Sequence, residues 1–181
     1  ILYSSAKETI NTLEEEDDYR EALQYARILE DNEQTTEFLE SIRDESQDDG
    51  DWESAYLTQL KLIDRLSEKS TSEHADLEII AGILAQKKES YLQAIAHFEK
   101  ARSIYAEDED LAELSLANKY LAITYESNKQ YQKSLYFYNE ARKNLLEDDD
   151  LEQAARLLHS IGNIYNLRLN DYLGALKFYD Q

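Results

Sequence analysis

Residues 115–127 read SLANKYLAITYES and residues 131–144 read YQKSLYFYNEARKN, with the polar turn Asn128 to Gln130 between them. In the first stretch Leu116, Tyr120, Ile123 and Ser127 recur at three- and four-residue steps. Leu121, Ala122 and Tyr125 fill the neighbouring stripe, which is the period of a helix with a wide apolar face. In the second stretch Tyr131, Ser134, Leu135, Tyr138 and Ala141 share one side. The two stretches predict helix, tight turn, helix.

The same frame recurs along the chain. An aromatic residue is followed three positions later by a small one at Tyr19/Ala22, Trp52/Ala55, Tyr91/Ala94, Tyr131/Ser134 and Tyr172/Ala175, with aromatic-to-aromatic steps of 33, 39, 40 and 41 residues. Such self-similarity marks a repeat architecture. Around Tyr91 the frame collects Gly82, Ala85, Ala94, Phe98 and Ala101, and around Tyr172 it collects Gly162, Tyr165, Ala175 and Tyr179, with one extra residue in the turn. Around Trp52 it collects Ile42, Ala55 and Leu62 after the turn Asp49-Gly50-Asp51; around Tyr19 it collects Ile10, Leu13, Ala22 and Leu29. Small residues at 82, 122 and 162 let the first helix of a pair approach the second, and the rings at 125, 138, 165 and 179 fill the space between pairs, as interdigitated helices require. The periodicity predicts helices near 3–14, 19–31, 35–47, 51–68, 73–87, 90–106, 109–127, 130–146, 149–168 and 171–181. Acidic clusters stand at most of the joints, where helix N-termini favour them: Glu14 to Asp18, Glu30 to Glu33, Asp48 to Asp51, Glu107 to Asp110 and Glu147 to Asp150.

This pattern resembles the tetratricopeptide repeat. In the last repeat Leu158, Ile161-Gly162, Tyr165, Asp171-Tyr172, Ala175 and Tyr179 stand in that family's signature order, and the third and fourth repeats match it well. The first two match loosely, since Arg43 and Ser46 stand where a small residue and an aromatic are usual. The family's proline after the second helix is absent, and the later repeats are nearer 40 residues than 34. Longer repeats of this kind are similar to those of Pins-type adaptors, of Gram-positive peptide-pheromone receptors, and of sensor regions of bacterial kinases and diguanylate cyclases. The resemblance implies an all-α, right-handed α-solenoid of about five helical hairpins. It would run as one domain over 1–181, with repeats near 3–34, 35–72, 73–112, 113–152 and 153–181.

Composition agrees with nearly continuous helix. The 181 residues include no Pro and four Gly, the two poorest helix formers. There is no Cys, which excludes disulfides, thiolate metal sites and a cysteine nucleophile. There is no Met, and the chain stops at Gln181 inside an expected helix. We therefore expect a piece of a longer protein, with more repeats or a solvating helix after Gln181. No apolar run approaches the roughly 18 residues of a membrane span. The formal net charge of −20 repels phosphate backbones and anionic lipid, so nucleic acid and direct membrane binding are not expected. It also keeps a long helical surface soluble.

Few residues suggest chemistry. A calcium loop with Gly50 as its turn glycine would start at Glu45 and end at Tyr56, where a bidentate Glu is needed, so Asp44 to Asp51 reads as a solvated turn. His74, His97 and His159 fall at no metal-ligand spacing, and His97 beside Phe98 reads as a surface or packing residue. No phosphate loop, nucleophile elbow or basic-aromatic stripe is present. The reading is of a non-enzyme without cofactors or metals.

The resemblance also implies where a partner would dock. In tetratricopeptide arrays the first helix of each pair lines a concave groove, and two positions per repeat point into it. Here these are Lys7 and Asn11, Glu40 and Asp44, Ile79 and Ile83, Lys119 and Ile123, and His159 and Asn163, with Tyr120 and Arg156 close to the stripe. Its second repeat is acidic (Glu37, Glu40, Asp44), its third apolar, and its last two carry Lys119, Arg156, His159 and Asn163. Lys7 with Asn11 is similar to the pair that grips a terminal carboxylate in chaperone-binding members of the family, but Asp44 stands where a second Asn would be needed.

The expectation is a binding module that docks a protein or peptide, basic or apolar in character, in the groove. The alternatives are a ligand-sensing segment of a larger bacterial signalling protein and a structural oligomerisation module. The cytoplasm is the default location, with an extracytoplasmic bacterial sensor region as the alternative.

Overall fold

The computed structural model describes residues 9–10, 12–13, 18–28, 32–66 and 72–179. These fall into two compact bodies, one within Ile1–Glu68 and one within Lys69–Gln181. No strand occurs among the described residues. The first body contains α1 (Tyr19–Ile28), α2 (Asn32–Asp48) and α3 (Trp52–Leu66), with residues 9–10 and 12–13 also helical. The second contains α4 (Ser72–Lys87), α5 (Tyr91–Glu107), α6 (Leu111–Ser127), α7 (Tyr131–Glu147), α8 (Leu151–Asn163) and α9 (Tyr172–Tyr179). In each body consecutive helices pack on one another, the arrangement of stacked helical hairpins. None of the helices is long and apolar enough to cross a membrane.

In the first body α2 packs between α1 and α3, burying Ala22, Ala26, Phe38, Leu39, Ile42, Ala55 and Leu62. The two departures from the repeat pattern are accommodated by polar pairing. Arg43 Nη1 donates to Oε1 of the fully buried Gln59 at 3.1 Å, and Ser46 Oγ donates to the Ile42 carbonyl at 2.8 Å. Buried polar groups keep their hydrogen bonds this way instead of being excluded.

The second body shows the size complementarity in its cleanest form. A Cβ built on Gly82 of α4 would overlap the buried Phe98 ring of α5, and one on Gly162 of α8 would overlap the Tyr179 ring of α9. Ala122 takes the equivalent place in the middle hairpin, in a core with Leu135, Tyr138, Ala141, Leu145, Leu157 and Ile161. Each fully buried side chain of this size contributes about 1.5–3 kcal/mol of transfer free energy. Within hairpins, Tyr125 stacks on Phe137 at 5.4 Å and Tyr165 on Phe178 at 5.2 Å; between hairpins, Phe98 stacks on Tyr120 at 5.1 Å.

The turns of the second body close alike except the last, after the π turn, where Asp171 N bonds back six residues to the Tyr165 carbonyl at 2.8 Å. The N–H three residues past the helix bonds back five residues, as in Ser90 to Ala85 (2.8 Å), Gln130 to Tyr125 (2.8 Å) and Asp150 to Leu145 (2.9 Å). The residue between is left-handed: Glu89, Glu109, Lys129, Asp149 and Asn170 have φ of 53–59°. This is the Schellman closure, built here without glycine. Gly50 at φ 74° does the same in the first body. One acid of most joints caps the next helix: Asp51 accepts from Ser54 N, Asp110 from Glu113 N, Asp150 from Gln153 N and Asp171 from Gly174 N. The Ser54 hydroxyl and N–H hold the Asp51 carboxyl below its ordinary value, and the Gln153 N–H and side chain do so for Asp150.

The expected helix over 149–168 is not continuous. It is α-helical to Asn163 and then makes a π turn over Ile164–Arg168, with Leu169 N bonded to the Ile164 carbonyl at 3.1 Å. The extra residue of the last repeat sits in this π turn and not in the loop, which keeps three residues, Leu169 to Asp171. A π bulge absorbs one residue without changing either flank.

Candidate functional site

Lys7 and Asn11 lie outside the described residues. Glu40 and Asp44 lie exposed on α2, where the Asp44 carboxylate accepts from Arg43 Nε at 2.8 Å and Gln47 Nε2 at 3.1 Å. Glu37 is exposed on the same helix, one turn before Glu40.

The remaining candidates sit on α4, α6 and α8, the first helices of the three hairpins of the second body. Ile79 is buried and belongs to the core, while Ile83 is half-buried and Ile123 is 36% exposed. Gln86 Nε2 of α4 donates to Thr124 Oγ1 of α6 at 2.6 Å, joining the two helices next to Ile83 and Ile123. Tyr120 is half-buried because its ring is committed to Phe98; Lys119 Nζ stands 5.8 Å from the Tyr120 ring centroid.

Lys119 and Arg156 come together. They line a cleft of about 280 Å³ beside α6 and α8, together with Ser115, Leu116, Gln153, Ser160 and the acidic Asp150. Arg156 is exposed and its Nη2 donates to Glu152 Oε1 at 2.6 Å, a contact one helical turn away that water and salt screen easily. Both cations therefore remain available in a chain that is otherwise strongly acidic.

His159 and Asn163 face α9. His159 lies 5.4 Å from the Tyr179 ring, and Asn163 Oδ1 accepts from the Tyr179 hydroxyl at 2.8 Å. His159 lines a second cleft, of about 470 Å³, with Ala155, Leu158, Phe178 and Tyr179. The candidate stripe thus divides into an apolar pair (Ile83, Ile123), a cationic pair (Lys119, Arg156) and a polar pair engaged with α9.

The most prominent ionisable cluster falls outside the stripe. Glu78 of α4 is 1% exposed, and its carboxylate is bonded to His97 Nδ1 of α5 at 2.5 Å, Lys100 Nζ at 3.2 Å and His74 Nε2 at 3.3 Å. Burial pushes the Glu78 carboxyl up, but the His97 bond and charge, with Lys100, outweigh it and hold the group below its ordinary value. The His74–Glu78 spacing was visible as an i, i+4 pair; that His97 completes the cluster depends on the pairing of the two helices. Across the same hairpin, the Tyr105 hydroxyl donates to Asp76 at 2.6 Å, and burial with that carboxylate raises its pKa. Arg102 Nε donates to Asn118 Oδ1 at 2.8 Å and Asn118 Nδ2 to Asn144 Oδ1 at 3.0 Å, linking α5, α6 and α7. These networks lie between helices. Among the described residues no group of His, Asp and Glu could hold a metal ion.

No protein-family model matches the sequence, and no curated protein is recognisably similar to it. Solved structures are similar in fold. A crystal structure of MamA matches at 18% identity and TM-score 0.64, covering 94% of this chain and 90% of that one. The apo form of RapI matches at 15% identity and TM-score 0.71, over 98% of this chain and 52% of RapI, so the chain spans about half of that protein. A Podosopora anserina putative kinesin light chain with nearly identical TPR-like repeats matches at 12% identity and TM-score 0.70, over 98% and 91%. At these identities the likeness is one of fold: the chain is a TPR-like, all-α helical repeat.

Proposed function

We propose that this chain is a protein-interaction scaffold whose second body docks a polypeptide segment along α4, α6 and α8. The observation that carries the reading is the convergence of Lys119 and Arg156 on one cleft, with Ile123 exposed one turn from Lys119. An apolar side chain of the partner would cover Ile83 and Ile123, and a carboxylate or backbone carbonyl would meet the two cations. Burial would supply affinity, and the charges would set register. The acidic Glu37, Glu40 and Asp44 on α2 would favour cationic segments there.

The test is capture of partners on the immobilised chain, followed by affinity measurement with the captured partner. Replacing Lys119, Ile123 and Arg156 together by Ala should weaken binding by roughly 2–4 kcal/mol. Unchanged affinity in a folded triple variant would sink the reading.

A second reading, a ligand-sensing segment of a larger signalling protein, is supported by the likeness to RapI. Another matched structure is a Rap protein complexed with Competence and Sporulation Factor. Under this reading a small peptide would occupy the Lys119–Arg156 cleft, and a change in the amide-exchange pattern of α6 to α8 on peptide addition would separate it from a passive scaffold.

A further inference from the structure

The cleft lined by Lys119 and Arg156 carries charges of both signs. Its third charged residue is Asp150, the N-cap of α8. Asp150 Oδ1 accepts from Gln153 N at 2.9 Å, and Oδ2 accepts from Gln153 Nε2 at 2.6 Å. These bonds keep the carboxylate charged and fix its place. A carboxylate accepts at about four lone-pair sites, so Asp150 keeps room for a further donor. Arg156 lies further along α8, but its side chain turns back one helical turn to Glu152 Oε1 at 2.6 Å. That brings the guanidinium toward the Asp150 end of the helix. Lys119 approaches from α6.

The other polar groups of the lining are committed. Ser115 Oγ donates to the Ala141 carbonyl at 3.0 Å, Ser160 bonds to the Tyr138 hydroxyl, and Gln153 holds Asp150. Leucines make up much of the rest: Leu116 of α6, with the buried Leu145 of α7 and Leu157 of α8. The cleft thus offers two cations, one fixed anion and an apolar wall in about 280 Å³.

We propose that this cleft binds a free α-amino acid with an apolar side chain of leucine's size. The ligand carboxylate would meet Lys119 and Arg156, its ammonium would meet Asp150, and its side chain would lie against the three leucines. The volume is at the small end of ligand pockets, which run from about 300 to 1,000 Å³. It suits a single amino acid better than a segment of several residues. Charge selects the same class. With 39 acids against 19 bases, the chain repels a simple anion and attracts a simple cation over most of its surface. A zwitterion carries no net charge and gains only where both signs stand together. The inference rests on the ligand-sensing reading and puts a single amino acid in place of the small peptide. Since Lys119 is on α6 and Asp150 on α8, the ligand would tie two neighbouring hairpins.

Isothermal titration of the full chain with L-leucine, N-acetyl-L-leucine, L-leucinamide and glycine tests it. The expected result is saturable one-to-one binding of leucine, with each of the other three at least tenfold weaker. Asp150→Asn keeps a capping side chain and should remove the preference for leucine over N-acetyl-leucine. Lys119→Gln with Arg156→Gln should abolish binding with the helical circular dichroism unchanged. No saturable binding of leucine into the millimolar range, or leucine binding indifferent to Asp150→Asn, would overturn the proposal. So would N-acetyl-leucine held as tightly as leucine, which would mark the cleft as a seat for a chain terminus. A polypeptide captured by a chain that does not bind leucine would sink this inference and leave the docking reading standing. Leucine bound by a chain that captures no polypeptide would do the reverse.

Discussion

The carboxylate of Glu78 meets His97 Nδ1 at 2.5 Å inside the first hairpin of the second body, 19 residues away along the chain and almost sealed from water. A buried charge needs such a partner, because removing one member leaves the other desolvated and uncompensated. Glu78→Ala should therefore cost about 3–4 kcal/mol in denaturant unfolding, and Glu78→Gln, which keeps the shape and one acceptor, distinctly less.

The same group gives a pH signature. Its folded-state pKa lies below the ordinary value, so its contribution is fully present above the unfolded-state pKa. That contribution is lost as pH falls through the lower, folded value. The stability of the wild type should decline on acidification over that window, and that of Glu78→Gln should decline less steeply. Parallel acid limbs would show that Glu78 contributes nothing to the pH dependence.

Gly82→Ala should destabilise the protein by about 1–3 kcal/mol, because the new Cβ would overlap the fully buried Phe98 ring, which Tyr120 pins from the other side. Gly162→Ala makes the same overlap with Tyr179 but should be milder, since that ring is partly exposed and can move aside. Equal losses in thermal unfolding would contradict this account.

Lys129→Gly should stabilise the protein by about 0.5 kcal/mol, the strain of a left-handed side chain less the extra entropy glycine has when unfolded. Lys129 has φ 59° and an exposed side chain, so nothing else is lost. A lowered denaturation midpoint would mean that the lysine side chain matters to the turn.

Deleting Leu167, an exposed residue in the π turn, should leave helix content unchanged and return the last repeat to the 40-residue step of its predecessor. Deleting Leu121 from the regular α6 should unfold the second body, because it rotates the buried face by about 100° out of the core. If both deletions are equally damaging, the π turn is not where the extra residue resides.

The repeat was legible because it rests on local rules. The three-and-four-residue recurrence of Leu116, Tyr120 and Ile123, the aromatic-plus-small pairs and the capping acids all act within a few residues of one another. The turns were legible in position but not in conformation, since Glu89, Glu109, Lys129 and Asp149 carry no glycine to announce a positive φ. The extra residue near Tyr172 was visible in the spacing, but its place was not. A one-residue insertion satisfies the same count in a loop or in a helix, and only the folded hairpin, with its π turn over Ile164–Arg168, shows that the helix holds it.

The candidate stripe was legible as a register and less so as a surface. Counting back from the turn aromatic put Lys119 in the stripe, with Arg156 close to it. Their meeting in one cleft, the burial of Ile79 and the engagement of Asn163 with Tyr179 depend on how neighbouring helices nest.

The sequence by itself determined that this chain is a string of helical hairpins, because helix period, turn position and capping are properties of adjacent residues. The tertiary structure decided which residues are spent on cohesion and which remain for a partner. His97 reads in the linear pattern as a surface or packing residue and is interior, bonded to the buried Glu78; Tyr179 reads as a ring that fills the space between helices and is partly open. Exposure is a property of what lies opposite, and what lies opposite is settled only when one helix packs against the next.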